Sequence, residues 1–148
     1  MELETERLIL KTDCSIVDGE FKCPSEQLPI DISNPKPQYG EREGFALYLK
    51  STDEYVGHIN ILFKRKPYEL SIGTCEEFRR QGYMIEAHET LIPWLFENCG
   101  NITINALVGP ITPLASRSIL KRFGFKQEKE GAEEWWSLNF ADWNYRRI

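Results

Sequence analysis

Apolar and polar residues alternate through TERLILKT, residues 5–12. This period of two predicts a strand with Leu8 and Leu10 on one side. FALYLK (45–50) and YVGHINILFK (55–64) look like two strands, joined by a tight turn at STDE into an antiparallel hairpin. YELSIGTC (68–75) supplies another strand. From 82 to 97 the apolar spacing changes to three and four, which predicts an amphipathic helix with Ile85, Leu91, Ile92, Leu95 and Phe96 in the core. Pro93 inside it removes one backbone bond. NITINALV (101–108) alternates again and is β-branched, a strand. In GPITPLASRSILKRFGF, Thr112 suits an N-cap, Pro113 the first helical position and Gly124 the C-terminal stop. EEWWSLNF (133–140) is the last strand. Its Trp135 and Trp136 lie on opposite faces, one for the core and one for an apolar wall or a homodimer contact.

Residues 13–44 carry no helical period. Pro24, Pro29, Pro35 and Pro37, with Gly19, Gly40 and Gly44, predict mostly loop. The order is then strand, irregular region, three strands, helix, strand, helix, strand. It predicts one α/β (α+β) domain over residues 1–148, with a mixed, mostly antiparallel central sheet and helices on both faces.

Composition narrows the function classes. No apolar run approaches the roughly 20 residues that span a bilayer. MELETERLIL is acidic where a signal peptide would be basic, so the cytoplasm is the expected compartment. Cys14, Cys23, Cys75 and Cys99 form no CxxC pair and have no histidine cluster nearby, so reduced thiols without metal are expected. The formal charge of −5 argues against a nucleic-acid surface and suits a cationic partner such as an amine.

Candidate chemistry gathers where the long helix starts, in RRQGYMIEAHETLIPWLFEN (79–98). The first N–H groups of a helix lack internal partners, and the helix dipole adds partial positive charge there. Gly82 lets a ligand approach the backbone, and Arg79 and Arg80 add full charges, so the segment suits a phosphate. It is not a P-loop, because GxxxxGK[ST] is absent.

ELSIGTCEEFRRQGYMIEAHETLIPWLFEN, preceded by TERLILKT and followed by ASRSILKRFGF, resembles the GNAT acetyltransferase superfamily, in particular its ribosomal-protein N-terminal acetyltransferase branch. The resemblance covers about residues 1–12 and 45–143. It implies acetyl-CoA as donor and no metal. The pyrophosphate would rest on Arg79, Arg80, Gln81, Gly82, Tyr83 and Met84. The pantetheine arm would run between two splayed parallel strands, Ser71–Cys75 and Thr103–Leu107. The N–H of Thr74 or Cys75 would face the thioester oxygen. Met84 replaces a small residue of the family pattern, Arg80 a frequent glycine, and Pro113 a frequent asparagine. Residues 13–44 are short and proline-broken where the family places two helices beside the acceptor.

Aminolysis of a thioester requires a proton acceptor for the amine and is helped by a donor to the leaving thiolate. Ser116 matches a serine that resembles the branch's proposed general acid; an ordinary first-turn serine is the plainer reading. Glu69 and His58 are the candidate bases, against a solvated carboxylate and a half-buried strand histidine. His88 and Glu86 are expected to face sheet or solvent, Tyr83 to pack, and Cys75 to be an inert thiol. The leading expectation is acetyl transfer from acetyl-CoA to a primary amine, a protein N-terminus or a small molecule, in a ternary complex. The alternative is a GNAT-like domain that binds CoA or a protein without turnover.

Overall fold

Leu8 and Leu10 are buried while Ile9 and Lys11 are half-buried, so strand β2 (Leu8–Lys11) turns one face inward. The computed structural model describes residues 1–23, 41, 43–62, 67–108, 113–129 and 134–147, with 113–116, 129 and 145–147 described by backbone alone. Its other strands are β1 (Glu2–Glu4), β3 (Ser15–Val17), β4 (Glu20–Lys22), β5 (Gly44–Leu49), β6 (Tyr55–Leu62), β7 (Tyr68–Thr74), β8 (Thr103–Val108), β9 (Lys126–Lys129) and β10 (Glu134–Asn139). The helices that lie wholly within the described residues are α1 (Tyr83–Cys99), α2 (Pro113–Arg122) and α3 (Phe140–Arg147), and Glu76–Phe78 makes a 3-10 turn.

Eight strands form one sheet in the order β1-β2-β5-β6-β7-β8-β10-β9. Every neighbouring pair is antiparallel except β7 and β8. The parallel pair is reached by crossing over through α1, as a parallel connection requires. The buried positions of α1 are 84, 87, 88, 91, 92, 95 and 96, the three-and-four spacing of one helical stripe. Trp94 places its ring edge-on to Phe45 and Phe21. This fixes the apolar face of the sheet as the one carrying Phe45, Leu47, Ile59, Ile61, Tyr68 and Leu70. Gly100 ends α1 with φ of 71° and donates its N–H to the Phe96 carbonyl at 3.0 Å.

α2 begins at Pro113; Thr112 lies outside the described residues. Gly124 stops it at φ of 86°, and the Phe125 N–H reaches back to the Leu120 carbonyl at 3.0 Å. α3 is held to α1 by the stack of Trp143 on Phe96, ring centres 4.7 Å apart. Trp136 is buried and Trp135 half-buried. Glu134 accepts from Arg117 of α2 and from the Trp136 indole. Those two bonds, the Arg117 one first, hold its carboxyl down at about 2.

Three differences from the sequence reading matter. Residues 15–22, expected as loop, form the β3–β4 hairpin. Its turn is Asp18–Gly19, both at positive φ as a two-residue type I′ turn demands. Residues 24–40 and 42 of the same stretch lie outside the described residues. Cys14 and Cys23, expected as reduced thiols, are joined by a disulfide, because the hairpin brings their Cα atoms to 3.9 Å. Cys75 and Cys99 form no disulfide. Finally, β1, β9 and α3 were not expected at all, and the strand expected over residues 5–12 starts at Leu8.

Candidate active site

The parallel pair β7–β8 holds together over three residue pairs only, Tyr68–Leu70 against Ile104–Ala106. Beyond them the strands part, toward the start of α1. The open stretch is thus Ser71–Thr74 on one side and Leu107–Val108 on the other. Residues 104–106, expected to be splayed, are paired.

Which backbone groups face the fork follows from pairing on the other side of β7. There β6 runs antiparallel, with Gly57 opposite Thr74, His58 opposite Gly73 and Asn60 opposite Ser71. The Cys75 N–H donates to the Val56 carbonyl at 2.8 Å. Antiparallel neighbours alternate in the direction of their polar groups. Ser71, Gly73 and Cys75 therefore turn theirs toward β6, and Ile72 and Thr74 turn theirs into the fork. This removes Cys75 as a donor to a bound carbonyl and leaves Thr74. The Thr74 carbonyl accepts from Nε of Arg79 at 3.2 Å. The Thr74 N–H and both polar groups of Ile72 are left facing the gap.

At the mouth of the fork the chain turns through Arg80 (φ 65°) and Gly82 (φ 79°) into α1. Positive φ costs little for glycine and more for arginine, so this loop holds a conformation that an ordinary turn would avoid. Gly82 is the N-cap residue, and no side chain caps the helix. The Gly82 carbonyl accepts the first helical bond, from the Glu86 N–H at 3.0 Å. Among the described residues nothing accepts from the N–H groups of Tyr83, Met84 and Ile85. Arg79, Arg80, Gln81 and Gly82 are exposed, Tyr83 is half-buried and Met84 is buried. Tyr83 packs edge-on against Phe78.

Arg7, Thr5 and Glu86 belong to this loop, and the sequence reading does not find them there. The Arg7 guanidinium donates to the Gln81 carbonyl at 3.0 Å and to Glu86 at 2.7 Å, and lies over the Tyr83 ring at 4.3 Å. Thr5 and the Arg7 backbone N–H also donate to Glu86. Burial alone would raise the Glu86 carboxyl, but these bonds outweigh it and hold it below its ordinary value. The turn between β1 and β2 thereby clamps the loop. The partners lie 74 and 79 residues apart, so no local motif could announce them. The cleft beside this clamp is lined by Thr5, Arg7, Gly82, Glu6, Glu86 and Glu89, three carboxylates against one guanidinium that is already paired with Glu86, and so does not favour a phosphate.

On the face of the sheet opposite α1, β6 and β7 present His58, Asn60, Glu69, Ser71 and Gly73. The His58 ring lies across Gly73: a Cβ there would sit 2.6 Å from Cε1 of the imidazole. Nδ1 of His58 is 3.1 Å from the Tyr55 hydroxyl. Burial, and then the nearby Cys75 thiol, push that phenol up to about 12. It stays protonated and able to donate. Glu69 is half-buried on the same face, two residues before Ser71. Glu69 and Gly73 stand four residues apart, about 13 Å along a strand. Glu69 and His58 therefore serve different parts of the face.

Ser116 falls in the first turn of α2; its side chain lies outside the described part. His88 is buried, with Nδ1 2.7 Å from the Met84 carbonyl and its ring against Phe123, so it takes no part in the site. Among the described residues no cluster of His, Cys, Asp and Glu is built to hold a metal ion, and no helix is long and apolar enough to cross a membrane.

The family described as the acetyltransferase (GNAT) domain matches residues 26–126. No curated protein matches the sequence. Among solved structures, an acetyltransferase from Agrobacterium tumefaciens str. C58 is 20% identical over 93% of this chain and 94% of its own, with a TM-score of 0.64. A GNAT-family acetyltransferase from Bacillus anthracis is 18% identical over 95% and 99%, with a TM-score of 0.65. A proposed ribosomal-protein-serine acetyltransferase from Vibrio cholerae is 17% identical over 94% and 97%, with a TM-score of 0.64. The sequence match spans more than half of the chain and the fold agrees over nearly all of it: the chain belongs to the GNAT acetyltransferases, enzymes that draw their acetyl group from acetyl-CoA.

Proposed function

We propose that residues 1–148 act as one N-acetyltransferase domain that passes an acetyl group directly to a primary amine, donor and acceptor being bound together. The observation that carries this reading is the fork. It offers the polar groups of Ile72 and the N–H of Thr74 along one open strand edge, ending at an uncapped helix start. An extended ligand with amide groups and a pyrophosphate fits both ends. When bound, acetyl-CoA supplies an electrophilic thioester carbonyl and a thiolate leaving group.

The chain's own residues do the rest. The N–H groups from Tyr83 onward, with Arg79 and Arg80, hold the pyrophosphate, and Arg7 fixes the loop that presents them. The Thr74 N–H is placed to stabilise negative charge on a carbonyl oxygen in the fork. His58, oriented by Tyr55, or Glu69 takes the proton from the amine. Ser116 returns a proton at the start of α2. The acceptor is a protein N-terminus or a small amine, and the net charge of −5 favours approach of a cation. The cytoplasm is the compartment this reading implies, although the Cys14–Cys23 disulfide is unusual for a reducing one.

The test is calorimetric titration with acetyl-CoA, controlled with 3′-dephospho-CoA and ATP, followed by turnover on a serine-initiated peptide and on spermidine. Binding near the micromolar range, about −8 kcal/mol, together with amine-dependent release of CoA, is expected. Binding without turnover of any amine would end this reading.

Two variants probe the chemistry. Ser116→Ala should lower kcat by about 100-fold while acetyl-CoA affinity stays close to wild type. Gly73→Ala forces the imidazole off β7. It should lower kcat/KM for the amine by roughly 100-fold, again without weakening acetyl-CoA, because misplacing a reacting group costs that much. Steady-state kinetics beside the same titration reads both.

A further inference from the structure

Asn60 is 7% exposed, and its Oδ1 has no hydrogen-bond partner. A buried acceptor without a donor costs about 1–3 kcal/mol, so folding alone gives no reason to keep one. Its position suggests the reason. Asn60 stands opposite Ser71, the first β7 residue after the pairing with β8 has stopped. It faces away from α1, on the same side as His58 and Glu69, and lies midway between them. Its other cross-strand neighbour is Gly44, which has no side chain to cover it. The unpartnered oxygen therefore sits beside the point where the strands part, between the two candidate bases.

We propose that Asn60 positions the acceptor: its Oδ1 accepts a hydrogen bond from the N–H of the incoming primary amine. The inference rests on the amine-acetyltransferase reading and adds a specificity residue to it. An amide suits the task better than a carboxylate. A carboxylate would stabilise the ammonium form, which has no lone pair to attack with. A neutral carbonyl holds an amine N–H without fixing the charge. Asn60 makes and breaks no covalent bond; it orients the nitrogen lone pair while another group takes the proton. A site that pairs with an N–H also discriminates against acceptors that lack one.

Asn60→Leu is the test variant. Removing an unsatisfied buried atom should leave the thermal midpoint unchanged or raised. The amine KM is expected to rise by about tenfold or more, while the acetyl-CoA KM stays within about twofold. A second measurement needs no variant. With CoA bound, wild-type protein is titrated with spermidine and with a serine-initiated peptide, and the Asn60 side-chain amide is followed by 15N NMR. A saturable shift of that resonance supports the proposal. An unchanged amine KM in a well-folded Asn60→Leu, or no shift while the wild type acetylates the same amine, overturns it and leaves the acetyltransferase reading intact. Neither binding nor turnover of either amine by the wild type would overturn both.

Discussion

Gly82→Asp is expected to abolish measurable acetyl-CoA binding, weakening it by at least about 100-fold, roughly 3 kcal/mol. The cause is local. Gly82 sits at φ of 79° at the uncapped start of α1, and among the described residues a Cβ there would have only the Arg7 guanidinium nearby, at 3.5 Å. Aspartate tolerates left-handed backbone better than most residues, so the fold should persist. Its carboxylate would then compete for the N–H groups and the arginines that a pyrophosphate needs. Circular dichroism and a melting curve establish folding, and titration reads the loss. A variant that folds and binds acetyl-CoA like wild type would show that the anion rests elsewhere.

The second large effect is on stability and concerns acid. Complete burial, opposed only by the bond to the Met84 carbonyl, lowers His88 to about 4 from an ordinary 6.5. The folded protein keeps this imidazole neutral, while the unfolded chain protonates it readily. Stability due to this difference is intact above pH 6.5. It falls as the pH drops toward 4 and then levels off, once the folded form takes up the proton as well. The whole window is worth roughly 3 kcal/mol. Urea unfolding at pH 7.5 and pH 4.5 should show the loss in wild type and a clearly smaller one in His88→Leu. Equal losses in both would place the acid sensitivity in other groups.

The parts that were legible in the sequence are those set by neighbours in the chain. α1 announced itself because its buried stripe has a strict three-and-four spacing, and β5–β6 because two short, largely apolar runs flank a turn. The turn into α1 was legible for the same reason: glycine, arginine and a helix start are adjacent residues. β9 was not, since Lys126–Lys129 is an edge strand with no apolar alternation. α3 starts directly after β10 and is capped by Asn139 accepting from the Asp142 N–H, a polar cue without an apolar stripe beside it. The β3–β4 hairpin was readable from Asp18–Gly19, but the prolines that follow outweighed it. The Arg7 clamp joins a turn to a loop and helix more than 70 residues away, and the position of Asn60 depends on which residues face one another across strands. A one-residue change in register would exchange the two faces, and composition carries no trace of that choice.

The three-pair seam between β7 and β8 has a consequence for the whole sheet. It divides eight strands into a leaf of five, β1, β2, β5, β6 and β7, and a leaf of three, β8, β10 and β9, joined by α1 and a short hydrogen-bonded strip. Most sheets exchange their backbone amides with solvent slowly in the middle and quickly at the rims. Here the Ile72 and Thr74 amides form a rim in the interior of the sheet. A ligand lying in the fork would close that rim as an added strand. The donor would then act as a structural seam as well as a reactant, and the enzyme would be at its most rigid while it is loaded.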